Sequence, residues 1–224
     1  MTDTHPATVV IFDCESDGKP CFGLHSTRNE AEFQYVQCTC VCALIVPIAQ
    51  LPSLEGAVEL TCWRDVAATP STSPFEPLLK AFDAASIVVG YNAFDFDFPL
   101  LWKYYGRKQN RRYLNHRTKT LDIFARLRAV SGHWPKLDDL LRANDLEPKT
   151  SDGKEAIRMW HANDRDGLEA YCQADVQLTA KLALLPEIVF GHTAMPEHVY
   201  GLMPMVRAVV GLHAVAEEGG YVVV

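Results

Sequence analysis

A run of β-branched and apolar residues, TVVIF at positions 8–12, leads without a break into Asp13, Cys14, Glu15, Ser16, Asp17 and Gly18. The pattern predicts a buried strand over residues 8–15, bounded by Pro6 before it and Gly18 after it. Acids on such a strand constrain the fold severely. Burying a charged carboxylate costs several kcal/mol, comparable to the net stability of a domain, unless something compensates it. Asp13 and Glu15 are two apart, so both side chains leave the same strand face, roughly 7 Å apart at the backbone. Such a pair can converge on one divalent cation held by oxygen ligands. Asp17 lies beyond the strand pattern and is expected to be exposed.

Two more strands are expected over 35–46 and 57–63. Ser73 is a candidate N-cap with Pro74 at the first helical position, predicting a helix over 75–85, and SIVVGYN then reads as a fourth strand. Beyond Asp97, FPLLWKYYG, TLDIFARLRAV, LDDLLRAN and the segment from Lys154 to about Leu185 show helical periods. Three strands, a helix, a strand and then helices predict an α/β architecture with a mixed sheet.

The 224 residues are divided here into a main domain over 1–190 and a C-terminal segment over 191–224, expected to be a helical extension or a partner surface. The apolar stretch 186–224, with Pro196, Pro204, Gly219 and Gly220, would serve a protein partner or self-association. No apolar stretch is long enough to span a bilayer, so no membrane partner is expected. The N-terminus lacks the basic region of a signal peptide, and the seven cysteines follow no zinc spacing. A cytoplasmic or other reducing compartment is therefore expected. Cys38, Cys40 and Cys42 would share one strand face, where they could ligate a metal or, the preferred reading, pack as small hydrophobes.

A net charge of −7 argues against holding nucleic acid by bulk attraction. The charge is uneven, however. Residues 103–119 carry seven of the 21 Lys and Arg side chains and no acid, with Trp102, Tyr104, Tyr105 and Tyr113 interleaved. This is either a surface that tracks phosphates and stacks bases or a solvated helix end followed by a basic loop.

Two further acid groups follow. Asp95 and Asp97, in NAFDFDFPLL, sit after a strand and before a helix, where Asp97 could cap the helix or the pair could act as a phosphatase-type Asp-x-Asp nucleophile. Tyr171 and Asp175, in YCQADVQLT, share a helix face one turn apart. Asp122, Asp138 and Asp139 fit helix starts and are read as structural, while His161 and His192 stand alone.

Together, DCESDG, NAFDFDFPLL and YCQADVQLT resemble, in order and spacing, the three motifs of DEDD-type 3′→5′ exonucleases. The tyrosine subtype, found in proofreading domains of family B DNA polymerases and in RNase D-like enzymes, is the one matched, since Ala170 stands where the other subtype has histidine. KLDDLLRANDL is similar to a helix of related stand-alone exonucleases. The resemblance covers residues 8–185 and implies an RNase H-like fold, a mixed five-stranded sheet flanked by helices. Four strands are counted above, so a fifth is missed or lies in 19–34.

The resemblance further implies hydrolysis of phosphodiester bonds from the 3′ end of single-stranded nucleic acid, DNA favoured over RNA, with release of 5′-mononucleotides. Two Mg²⁺ or Mn²⁺ ions would be held by Asp13, Glu15 and Asp175, Asp97 acting through water and Tyr171 orienting the attacking water. Cys14 and Ser16 would lie by the terminal nucleotide, Asn92 and Phe96 would contact substrate, and Lys103, Arg107, Arg111 and Arg112 would line its path. The other readings are a catalytically idle RNase H-like binding module and, more remotely, the phosphatase.

Overall fold

The computed structural model describes residues 7–19, 33, 35–51, 53–66, 72–106, 110–132, 134–149, 153–190 and 197–200. Strand β1, Thr8–Ser16, lies at the centre of a five-stranded sheet of order β3-β2-β1-β4-β5. It pairs antiparallel with β2, Cys38–Pro47, which pairs antiparallel with β3, Val58–Trp63. On its other side β1 pairs parallel with β4, Ile87–Gly90, which pairs parallel with β5, Thr120–Asp122. The chain is thus an α/β protein with a mixed sheet, as expected. The fifth strand is β5, inside a segment whose periodicity read as the start of a helix. Three residues are too few to show an alternation of their own, and their buried faces merge with the helix that follows.

Helices cover both faces. Val10, Phe12 and Cys14 of β1 join a core with α1 (Glu76–Ala84), α2 (Asp97–Leu101) and Tyr113 of α3 (Asn110–Thr118). Its centre is aromatic: Phe12 meets Phe82 edge-to-face at 4.8 Å and Phe98 at 5.9 Å. Val9 and Ile11 join the opposite core with α4 (Ile123–Ser131), α5 (Leu137–Ala143), α6 (Gly153–His161) and α7 (Arg165–Leu184). Each fully buried aliphatic side chain contributes about 1.5–3 kcal/mol, so the strand is fixed from both sides.

Two local departures from the sequence reading have clear causes. The register of β1 against β2 shifts between Glu15 and Ser16, whose partners are Cys40 and Cys38. This bulge around Thr39 sends Cys38 into the aromatic-side core, while Cys40 and Cys42 stay in the other. The three cysteines therefore do not share a face. The long helical segment after Lys154 splits because Asn163 takes a left-handed φ of 57° and Asp164 caps α7, its carboxylate accepting from the Gly167 N–H at 3.0 Å. Beyond α7, β6 (Glu187–Phe190) pairs antiparallel with β7 (Glu197–Tyr200) as a two-stranded ribbon; residues 191–196 and 201–224, the rest of the segment read as a helical extension or partner surface, lie outside the described residues.

Gly90 governs how the chain leaves β4. A methyl there would stand 2.8 Å from Ala93 Cβ, so only glycine lets residues 91–96 fold tightly against the strand end. Gly90→Ala is expected to destabilise the protein by about 1–3 kcal/mol through overpacking, read as a lower urea midpoint with an unchanged m-value.

Candidate metal centre

Asp13 and Glu15 sit at the end of β1, on the face covered by α7. Glu15 is only 8% exposed and Asp13 is half-buried, yet neither carboxylate accepts a hydrogen bond or forms an ion pair with any described residue. Burial, then the neighbouring Asp97, Glu15 and Asp175, pushes the Asp13 carboxyl well above the usual range. Burial followed by Asp175 does the same for Glu15. Two orphaned carboxylates of this kind fit a divalent cation, since buried charge is ordinarily paired or metal-bound. Asp13, Glu15 and Cys172 form a group able to hold a metal ion, with ligand atoms within 4.8 Å of one another.

The turn after β4 brings Asp97 to this end of β1. Asn92 takes a left-handed φ of 64°, and the Asp122 carboxylate accepts the backbone N–H groups of Asn92 (3.0 Å), Phe94 (2.7 Å) and Ala125 (3.0 Å). Asp122 thereby caps α4 and pins the turn, the structural role expected of it. Asp97 begins α2, 2% exposed, and its Oδ1 accepts the Cys14 N–H at 2.9 Å. Burial pushes its carboxyl up to about 7. Asp95 turns the other way and pairs with Arg128 at 3.0 Å. The two acids of the phosphatase reading thus diverge.

Helix α7 brings Asp175 and Tyr171. Tyr171 lies one turn from Asp175 on the same helix, and burial, followed by the Asp175 charge, pushes the phenol upward, so it remains protonated at neutral pH. Asp175 is raised by burial, an effect opposed by Lys149, whose Nζ lies 2.5 Å from Oδ2. Burial works to lower Lys149, but the carboxylates of Asp175 and Asp13 outweigh it and raise the ammonium. Lys149 is the site residue that sequence reasoning missed. It lies in an irregular stretch with no periodicity, and Asp138, at the start of α5, holds it there by accepting its backbone N–H at 2.9 Å. Lys149, Tyr171 and Asp175 line an open cleft of about 540 Å³ together with Met159, Ala174 and Leu178.

The expected substrate contacts are dispersed. The Cys14 side chain is buried in the aromatic-side core, away from Asp13 and Glu15. Ser16 is buried and donates to the Gly18 carbonyl at 2.8 Å. Asn92 Oδ1 is buried without a hydrogen-bond partner, and half-buried Phe96 meets Phe33 edge-to-face. Lys103 donates to the Val36 carbonyl at 2.6 Å, Arg107 lies outside the described residues, and Arg111 is exposed on α3. Arg112 bonds to Glu76 and Asp83, and Lys119 donates to the Ala85 carbonyl at 2.7 Å. Asp17, expected to be exposed, is half-buried and pairs with Arg64 at 2.6 Å.

The fold and site together define an α/β protein with a cluster of carboxylates at the end of its central strand. No protein-family model matches the chain, and no curated protein matches it. Among solved structures, it is similar to the family B DNA polymerase from the hyperthermophilic archaeon Pyrobaculum calidifontis, at 16% identity and a TM-score of 0.49. That similarity covers 80% of this chain and 24% of the polymerase, so the chain spans about a quarter of its length. Among the described residues, no helix is long and apolar enough to cross a membrane.

Two outcomes are expected for the metal-free protein. A carboxyl raised in the folded state stabilises fully below its unfolded pKa, and that contribution is lost as pH rises through the folded value. For Asp97 the loss runs from 3.8 to about 7, so thermal stability falls across that window and the Asp97→Asn variant shows a shallower fall. Lys149→Met removes the ammonium from a buried carboxylate and is expected to cost about 1.5–3 kcal/mol in urea unfolding near neutral pH, less when a divalent cation is added.

Proposed function

We propose that the chain is a 3′→5′ exonuclease of the DEDD tyrosine subtype with an RNase H-like fold, acting on single-stranded nucleic acid. The observation that carries the reading is the pair of carboxylates of Asp13 and Glu15, which meet no hydrogen-bond donor among the described residues and to which two distant elements bring Asp97 and Asp175 with Tyr171. The order of the three motifs along the chain supports it independently. Asp13, Glu15 and Asp175 would hold Mg²⁺ or Mn²⁺, with Asp97 acting through water. Two such ions, when bound, lower the pKa of water and stabilise both the entering and the leaving oxygen of an in-line displacement.

The protein's own residues set the rest. Tyr171 stays protonated, so its hydroxyl orients water and cannot abstract the proton. Lys149 offsets part of the carboxylate charge where a polyanionic strand would approach. The cleft beside Tyr171 and Asp175 is open enough to take an unpaired strand end. The basic helix α3 lies across the sheet, and most of its described cations bond within the protein, so the cleft is the better candidate for the substrate path.

Degradation of a 5′-labelled single strand with Mg²⁺ or Mn²⁺ tests the reading. Stepwise shortening from the 3′ end is expected, DNA faster than RNA, with Asp13→Ala abolishing it. Tyr171→Phe should lower the rate about 10–100-fold while leaving strand binding intact. Strand binding without cleavage, indifferent to metal and to Asp13, would establish the idle binding module instead.

A further inference from the structure

The β1–β2 ladder places Asp13 opposite Cys42 and Glu15 opposite Cys40, so two carboxylates and two thiols form one patch on the sheet face. Helix α7 lays a third thiol over it. The Cys172 sulfur lies 3.5 Å from the Asp13 carbonyl, and Cys172 shares one buried cluster with Cys40 and Cys42. All three cysteines are buried and free. Of the oxygens nearby, one from Asp97 is already bonded to the Cys14 N–H and one from Asp175 to Lys149. The donors that face one another unengaged are the carboxylates of Asp13 and Glu15, with the Cys172 thiol beside them.

We infer that Asp13, Glu15 and Cys172 bind a thiophilic divalent cation of the zinc class, through a sulfur ligand that a Mg²⁺ site would not use. Mg²⁺ demands octahedral oxygen ligation, whereas thiolate donors select zinc-like ions, which accept three protein ligands and a fourth open position. Coordination exchanges the thiol proton of Cys172 for the metal and releases that proton to solvent. Cys40 and Cys42 stand behind as a soft, polarisable wall. A zinc-class ion seated here takes Asp13 and Glu15 from any hard cation. Its consequence for catalysis, inhibition, rests on the exonuclease reading; the binding does not.

The test is titration of the purified, metal-free chain with Co²⁺ or Cd²⁺, followed by the sulfur-to-metal charge-transfer band. A single cation per chain is expected. Cys172→Ser should weaken it about 100-fold or more, judged on Cys172→Ser and Cys172→Ala proteins whose circular dichroism matches the parent. Cys62→Ser is the control, because that thiol packs in the opposite core. Absence of the band in the parent, or an undiminished band in both Cys172 variants, overturns the assignment. In a parallel Mg²⁺-dependent strand-shortening assay, zinc should inhibit the parent at a concentration at least about tenfold below that needed for Cys172→Ser. A chain that shows the band but shortens no strand upholds this site and refutes the exonuclease; shortening without a band does the reverse.

Discussion

Carboxylates placed at the end of the central strand are the constraint to which the site region answers. Asp13 and Glu15 belong to a strand buried on both faces, paired antiparallel on one side and parallel on the other. They cannot move to solvent without taking β1 out of both cores. Among the described residues they find no hydrogen-bond donors where they are. Asp97 and Asp175 add their charge, and among the described residues Lys149 supplies a single ammonium against four carboxylates, so protons or cations must supply the remaining compensation.

The sheet divides the labour. Its aromatic face, built on Phe12, Phe82 and Phe98, anchors α1, α2 and α3, and its backbone side of β1 receives Asp97 through the Cys14 N–H. The opposite face carries Asp13 and Glu15, the thiols of Cys40, Cys42 and Cys172, and α7. Residues that alternate along β1 therefore serve different ends: Phe12 and Cys14 hold the scaffold, and Asp13 and Glu15 lie on the face covered by α7. Lys149 and Tyr171 close the arrangement from an irregular stretch and a long helix, Lys149 held by the bond from its backbone N–H to Asp138 and Tyr171 by its place on α7.

Much of this was legible in the residues themselves. Period-2 and period-3.6 patterns located four of the five sheet strands and most helices, because strands and helices long enough to bury a face must display it. Asp13 with Glu15, and Tyr171 with Asp175, could be paired from spacing alone, since a strand or a helix fixes such neighbours locally. Strand β5 could not be found that way, being too short. Lys149 could not either, because its place depends on a long-range bond from Asp138 that no local pattern announces.

The basic stretch shows the same limit from the other side. Its density of Lys and Arg reads as a nucleic-acid surface, yet Arg112 and Lys119 bond to acids and carbonyls of α1 and its end, elements some thirty residues away in the chain. The sequence by itself determined the acid positions, the strand that must bury them and the order of the three motifs, because these follow from backbone geometry over a few residues. Only the tertiary structure decided which acids meet, that Asp95 leaves and Lys149 enters, and that a one-residue bulge puts Cys38 on one face and Cys40 and Cys42 on the other. Those outcomes are set by register and by packing between distant segments, where a single step of the pleat reverses what a side chain touches.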